Sequence, residues 1–127
     1  MRILGPINSG VGAGGAGVAT NNATTTTQVV GCIAGIYVRY NDSCPGTTDV
    51  VISTVGASPA IPSQTLLTLT DKNTNGLFLP RITPQDTDGA DLVGLTVLEP
   101  IAISDFVNVS MAQADDACSV DVWLLLE

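Results

Sequence analysis

Histidine is missing from all 127 residues, and with it the commonest general base and the commonest metal ligand of proteins. Its absence excludes Ser/His/Asp and Cys/His nucleophilic arrangements outright. Cations are nearly as scarce. Arg2, Arg39, Lys72 and Arg81 stand against twelve acidic residues, for a net charge of −8. They are scattered along the chain, whereas binding phosphates needs a basic surface that releases counterions, so no nucleic-acid partner is expected. Aromatic residues make up only 4%, so a core must be built from Val, Ile and Leu. Long apolar runs are lacking too. Trp123 to Leu126 is among the longest, far short of a bilayer span, so no membrane partner is expected. Between Ile3 and Val18 the chain is broken by Gly5, Pro6, Asn8, Ser9, Gly10 and Gly12, unlike the apolar segment of a secretory signal. The expectation is a soluble protein without an export address of its own. No stretch carries a helical stripe.

What is present is a weakly charged, apolar chain: 45% hydrophobic, 13% charged, with mean hydropathy +0.38. That is too apolar for disorder and near the usual size of one domain. Residues 1–27 differ from the rest, with the run Gly12 to Gly17 and then Thr24 to Thr27. Such a segment buries too little apolar area to offset its backbone entropy, and becomes ordered only when something holds it. It is expected to be an extended N-terminal arm, with Ile3, Leu4, Ile7, Val11 and Val18 as anchors on a neighbouring subunit. The alternative is an arm folded back on its own domain.

From Gln28 to Glu127 the period is two. Val30, Cys32, Ala34, Ile36, Val38 and Tyr40 alternate along one long strand, with Gly31, Gly35 and Arg39 on its other side. Further strands are expected at Asp49–Val55, Gln64–Thr70, Leu77–Leu79, Leu95–Leu98, Ile101–Ile103 and Phe106–Met111. The last, Cys118–Leu126, places Cys118, Val120, Val122, Leu124 and Leu126 on one side and Ser119, Asp121 and Trp123 on the other. Turn clusters at Asn41–Thr47, Asp71–Gly76, Pro84–Gly89 and Ala114–Ala117 separate them. Roughly seven or eight short strands so spaced predict an all-β protein, an antiparallel β-sandwich of jelly-roll-like type.

Candidate chemical groups are few. Asp86, Asp88 and Asp91, or Asp115 and Asp116, are the only close carboxylates, and all lie in turn-like sequence where Asp bonds local amides. Asp71 to Gly76 reproduces the first half of a calcium loop, but its twelfth position is Ile82, so a hairpin turn between neighbouring strands explains it better. No enzyme, metal or cofactor is expected. Cys32, Cys44 and Cys118 lack metal-type spacing, and three reduced thiols are expected, with a Cys32–Cys118 bridge as the alternative. The triplets starting at Asn22, Asn41 and Asn108 match glycosylation acceptors but mean little without export. Trp123, on the less apolar side of the last strand, is either an interface anchor or a side chain capped by the arm.

The stretches Gly35-Ile36-Tyr37-Val38-Arg39-Tyr40-Asn41 and Thr48-Asp49-Val50-Val51-Ile52 resemble small capsid decoration (cement) proteins of tailed bacteriophages. So do Gln64 to Asp71 leading through Asn75-Gly76 into Phe78-Leu79-Pro80-Arg81, then Ser110 to Ala114 and Val120 to Leu125. The resemblance covers residues 28–127 and leaves out the arm. It implies a structural virion protein on the outer capsid surface, assembled in the host cytoplasm, that bridges neighbouring major capsid protein subunits. It also implies a homo-oligomer, dimer or trimer. The acidic balance suits a position away from packaged DNA, and an ordering arm suits bridging that adds up through multivalency. The competing reading is a receptor- or glycan-binding module of a phage fibre or head appendage, for which Trp123, Tyr37 and Tyr40 are the available aromatics.

Overall fold

The computed structural model describes residues 1–57, 61–83, 85, 87–92 and 98–127. Among them are ten strands and no helix: β1 (Arg2–Asn8), β2 (Ala19–Thr24), β3 (Val29–Tyr40), β4 (Asp49–Thr54), β5 (Thr65–Leu69), β6 (Gly76–Phe78), β7 (Arg81–Ile82), β8 (Glu99–Asp105), β9 (Val107–Ala114) and β10 (Val120–Leu126). Two antiparallel sheets pack together as a β-sandwich. One has the order β1-β10-β3-β8-β7, with β6 also on β3; the other is β2-β9-β4-β5. A single core lies between them. Ile36, Val38, Val122 and Leu124 come from the first sheet, and Val50, Ile52, Val109 and Met111 from the second. The strand expected at Leu95–Leu98 falls, save Leu98, outside the described residues.

The period of two holds without a break along β10, where Val120, Val122, Leu124 and Leu126 are buried while Asp121, Trp123 and Leu125 face outward. It breaks once in β3. Opposite β10, Gly35 pairs with Leu125 but Ile33 pairs with Leu126, so Ala34 is an extra residue. A bulge of this kind reverses the alternation. Ile36, Val38 and Tyr40 therefore point inward as expected, whereas Val29 and Ile33 replace the expected Val30 and Cys32 on that face. The gap beside the bulge, between β8 and β6, is filled by Arg81, whose guanidinium donates to the Ala34 carbonyl at 3.1 Å.

Residues 1–27 are extended, but they belong to the sandwich rather than standing apart from it. β1 pairs with β10 and β2 with β9, each forming one edge of its sheet. A register shift at Gly5-Pro6 lets both Leu4 and Ile7 face inward, opposite Leu124 and Val122. Gly5 is required there. Its φ is +141°, and a Cβ would lie 2.7 Å from the Val122 carbonyl oxygen. The glycine run is held by this chain itself. Gly17 N–H donates to Asp115 at 2.7 Å, Gly15 N–H to Asp116 at 3.1 Å, and Gly12 N–H to the Cys118 carbonyl at 2.8 Å. The order attributed to a partner subunit thus has a source within the chain.

Two further expectations are corrected. Asp71–Gly76 is not a hairpin turn, because β5 and β6 lie in different sheets and the segment crosses between them. The thiols are not all reduced, nor do Cys32 and Cys118 pair. Cys44 and Cys118 form a disulfide and Cys32 is free. The loop after β3 folds over the start of β10, where Asn41 N–H donates to the Ser119 carbonyl at 3.1 Å and its side chain to Ala117 at 2.8 Å. That places Cys44 beside the buried Cys118, while the bulge turns Cys32 toward the outer face.

Candidate functional site

An outward-facing surface of a lone antiparallel sheet normally reads polar, because one side meets solvent. The outer face of the six-stranded sheet does not. Its registers set Ile3 against Leu125 and Leu125 against Gly35, and in the next row Trp123 against Tyr37 and Tyr37 against Leu77. Leu79 continues the face past β6; its Cδ2 lies where it would be 3.1 Å from a Cβ on Gly35. Ile3, Leu77 and Leu79 are 66%, 55% and 59% exposed. Contiguous apolar side chains of this kind on a water-facing sheet mark an interaction surface.

The centre of the face is ordered. The Tyr37 and Trp123 ring centroids lie 5.6 Å apart at 53°, and the Arg39 guanidinium sits 5.0 Å from the Trp123 centroid. Asp121 fixes that guanidinium at 3.0 Å and accepts a second bond from the Asn8 side chain at 2.7 Å. One polar rim thus joins β1, β10 and β3. Three of the chain's four cations also belong to this sheet. Arg39 stands on the face, Arg81 is paired with Pro100 at its far side, and Arg2 reaches the Val30 carbonyl at 2.9 Å from the start of β1. Scattered in sequence, all three fall in one sheet.

Of the residues expected to form an interface, Trp123 and Ile3 lie on this face. Leu4 and Ile7 do not, since the register of β1 turns them into the chain's own core. Val11 and Val18 are exposed, but near the glycine loop rather than with Ile3. Sequence reading missed Leu77 and Leu79 as members of the site, and named Tyr37 only for the competing glycan-binding reading. The available signal was the pair of leucines two apart around Phe78, a strand too short to bury both sides.

The candidate carboxylates are otherwise engaged. Asp115 and Asp116 hold the glycine loop, Asp91 accepts from the Gln85 side chain at 3.1 Å, and Asp86 lies outside the described residues. In the half-calcium loop, Asn75 accepts from Tyr40 N–H at 2.8 Å and Asn73 donates to the Cys44 carbonyl at 3.1 Å, so its side chains serve the crossover. A groove of about 350 Å³ runs between the edges of β1 and β2, lined by Leu4, Pro6, Ala23 and Thr25. Pro6 removes a backbone donor from that edge, which blunts it against strand addition.

Comparison of the chain with protein-family models, with curated proteins and with solved structures finds no match.

Proposed function

We propose that this protein is a non-enzymatic structural subunit that docks onto a protein assembly through the outer face of its six-stranded sheet. In its specific form the reading is a decoration subunit on the outside of a phage capsid, bridging neighbouring major capsid protein subunits. The observation that carries the docking role is the exposed row Ile3, Leu77 and Leu79 around the ordered Trp123–Tyr37 pair. The resemblance of residues 28–127 to capsid decoration proteins supplies the capsid. The Cys44–Cys118 disulfide supports an external position, since such bonds persist on virion surfaces and are rare in the cytosol.

The charge pattern specifies the partner's chemistry. In a chain of net charge −8, a face carrying Arg39 and Arg81 beside apolar side chains fits a surface that is apolar at its centre and bears carboxylates at its rim. Arg39 is already oriented by Asp121, so its free N–H groups are available without further ordering cost. A glycan-binding role is less favoured, because Arg39 occupies a face of the Trp123 ring on which a sugar would stack.

Cosedimentation with empty shells of a phage major capsid protein tests the reading. Saturable binding that Leu77→Asp weakens roughly 30-fold or more is the expected result. Binding unaffected by Leu77→Asp and by Trp123→Ala would remove this face from the docking role, and a specific sugar ligand on a glycan array would replace the reading.

A further inference from the structure

We propose that the Cys44–Cys118 disulfide gates the docking face, by holding the loop that keeps β6 on the sheet. The inference rests on the docking role given above and adds a redox condition to it.

β6 is the weakest contributor to the face. It has three residues, pairs only with β3 among the described residues, and carries two side chains, Leu77 and its neighbour Leu79, that are mostly in solvent. Only Phe78 packs against the core, and it is partly exposed. A strand so short and so little buried belongs to the part of a structure that opens most easily. What precedes it is the crossover Asp71–Gly76, and that crossover is fastened to the end of β3, the loop after it and the start of β4. Asp71 N–H donates to Asp49 at 2.9 Å, Lys72 N–H to the Thr48 carbonyl at 3.0 Å, and Tyr40 N–H to Asn75 at 2.8 Å. The fourth bond, from Asn73 at 3.1 Å, lands on the carbonyl of Cys44 itself. The disulfide then ties Cys44 to Cys118 at the start of β10. Covalent bond, loop, crossover and strand form one physical chain ending at Leu77 and Leu79.

Cys118 is fully buried and lies 3.4 Å from Met111 Sδ, while Cys44 keeps a small exposure. A thiolate of a small dithiol therefore attacks Cys44 Sγ. The S–S bond breaks, Cys118 leaves as a thiolate and takes a proton from solvent. The second thiol of the reductant then closes its own disulfide and releases Cys44 as a thiol. Two electrons pass from the dithiol to the protein, and a low-molecular-weight disulfide reverses the exchange. Once reduced, Cys44 no longer holds its loop on β10, Asn73 loses a fixed acceptor, and β6 lifts from β3. The face is complete only where thiols are oxidised.

Hydrogen exchange on the intact chain, oxidised and after dithiothreitol, tests this. The amides of Asp71 to Phe78 should lose protection roughly tenfold or more by local opening, independent of low denaturant, while those of β4 and β9 continue to exchange only through global unfolding. Asn73→Ala/Asn75→Ala, with the disulfide intact, should deprotect the same segment together with the Tyr40 amide that Asn75 accepts from, and leave β4 and β9 unchanged. It serves as the second test if the reduced chain proves hard to handle. Unchanged protection of β6 after reduction overturns the proposal, as does β6 exchange that follows global unfolding together with every other strand, which would make the disulfide a global staple alone. The readout is the strand's own exchange. It therefore fails or succeeds separately from shell binding, which the Leu77→Asp variant decides.

Discussion

The two sheets share one core but present opposite outer faces. On the four-stranded sheet, one outward row reads Thr24, Asn108, Ser53, Thr65 across β2, β9, β4 and β5, and the next reads Asn22, Ser110, Val51, Thr68. Asn108 donates to the Thr24 hydroxyl at 2.9 Å and to the Ala23 carbonyl at 3.2 Å, closing the ladder on itself. That is the surface of a sheet adapted to water. The six-stranded sheet sets Ile3, Leu125, Trp123, Tyr37, Leu77 and Leu79 in the equivalent positions. Both inner faces supply apolar side chains to the one core, so folding alone does not require the difference. The outer face of the larger sheet is apolar in excess of what the core needs, and the docking proposal rests on that excess.

The comparison can be broken first at what the two sheets have in common. The disulfide joins the β3–β4 crossover to the β9–β10 crossover, closing a span of 74 residues between the sheets. Replacing Cys44 and Cys118 by Ala should lower unfolding stability by about 2–4 kcal/mol, read from urea unfolding midpoints at unchanged m-value. A loss below half a unit would mean that the crossovers hold themselves.

Tyr40, on the inner side of the larger sheet, gives the next effect. Burial, then the nearby Asp49 carboxylate, pushes its phenol from 10.0 up to about 12. The unfolded chain releases this proton near pH 10 while the folded chain keeps it, so stability is full below pH 10 and falls as pH rises toward 12. The loss should approach about 2–3 kcal/mol. Its hydroxyl has no hydrogen-bond partner among the described residues. Tyr40→Phe should therefore be neutral or slightly stabilising at pH 7 and should flatten the alkaline decline. A steep decline persisting in that variant would assign it to another group.

On the faces themselves, Leu77→Asp should weaken shell binding by roughly 30-fold or more, a cost of about 2 kcal/mol, and Thr68→Asp on the other sheet should leave it unchanged. Equal losses from both would erase the distinction between the faces. The smallest effect belongs to Asn108→Ala, expected to cost about 0.5–1 kcal/mol of stability and nothing in binding, because its bonds are half exposed and close within the ladder. Thermal melts paired with cosedimentation would separate the two readouts.

Much of the fold was legible because alternation is local. Along β10 and β9, the inward set Val120, Val122, Leu124, Leu126 and Val107, Val109, Met111 is the one read from the sequence. In β3 the same reasoning failed for Val30 and Cys32, because no residue at Ala34 announces a bulge; the extra residue exists only relative to the partner strand. The site was legible in part. Trp123 stood out as a lone indole on the less apolar side of a strand, and Ile3 was one of five apolar side chains named as arm anchors. Tyr37 looked like any outward aromatic until Leu77, forty residues away, was set beside it.

By itself, then, the sequence determined the all-β class, the inner faces of most strands and the lack of any histidine-based chemistry. These follow from composition and from a period of two that the extended backbone imposes on each strand alone. Only the tertiary structure decided that residues 1–27 become sheet edges, that Asp71–Gly76 crosses between sheets, that Cys44 meets Cys118, and that Arg39, Trp123 and Tyr37 meet on one outer face. Each of these depends on which strands lie side by side. Strand pairing joins residues more than a hundred positions apart, such as Arg2 and Leu126, beyond the reach of any local pattern.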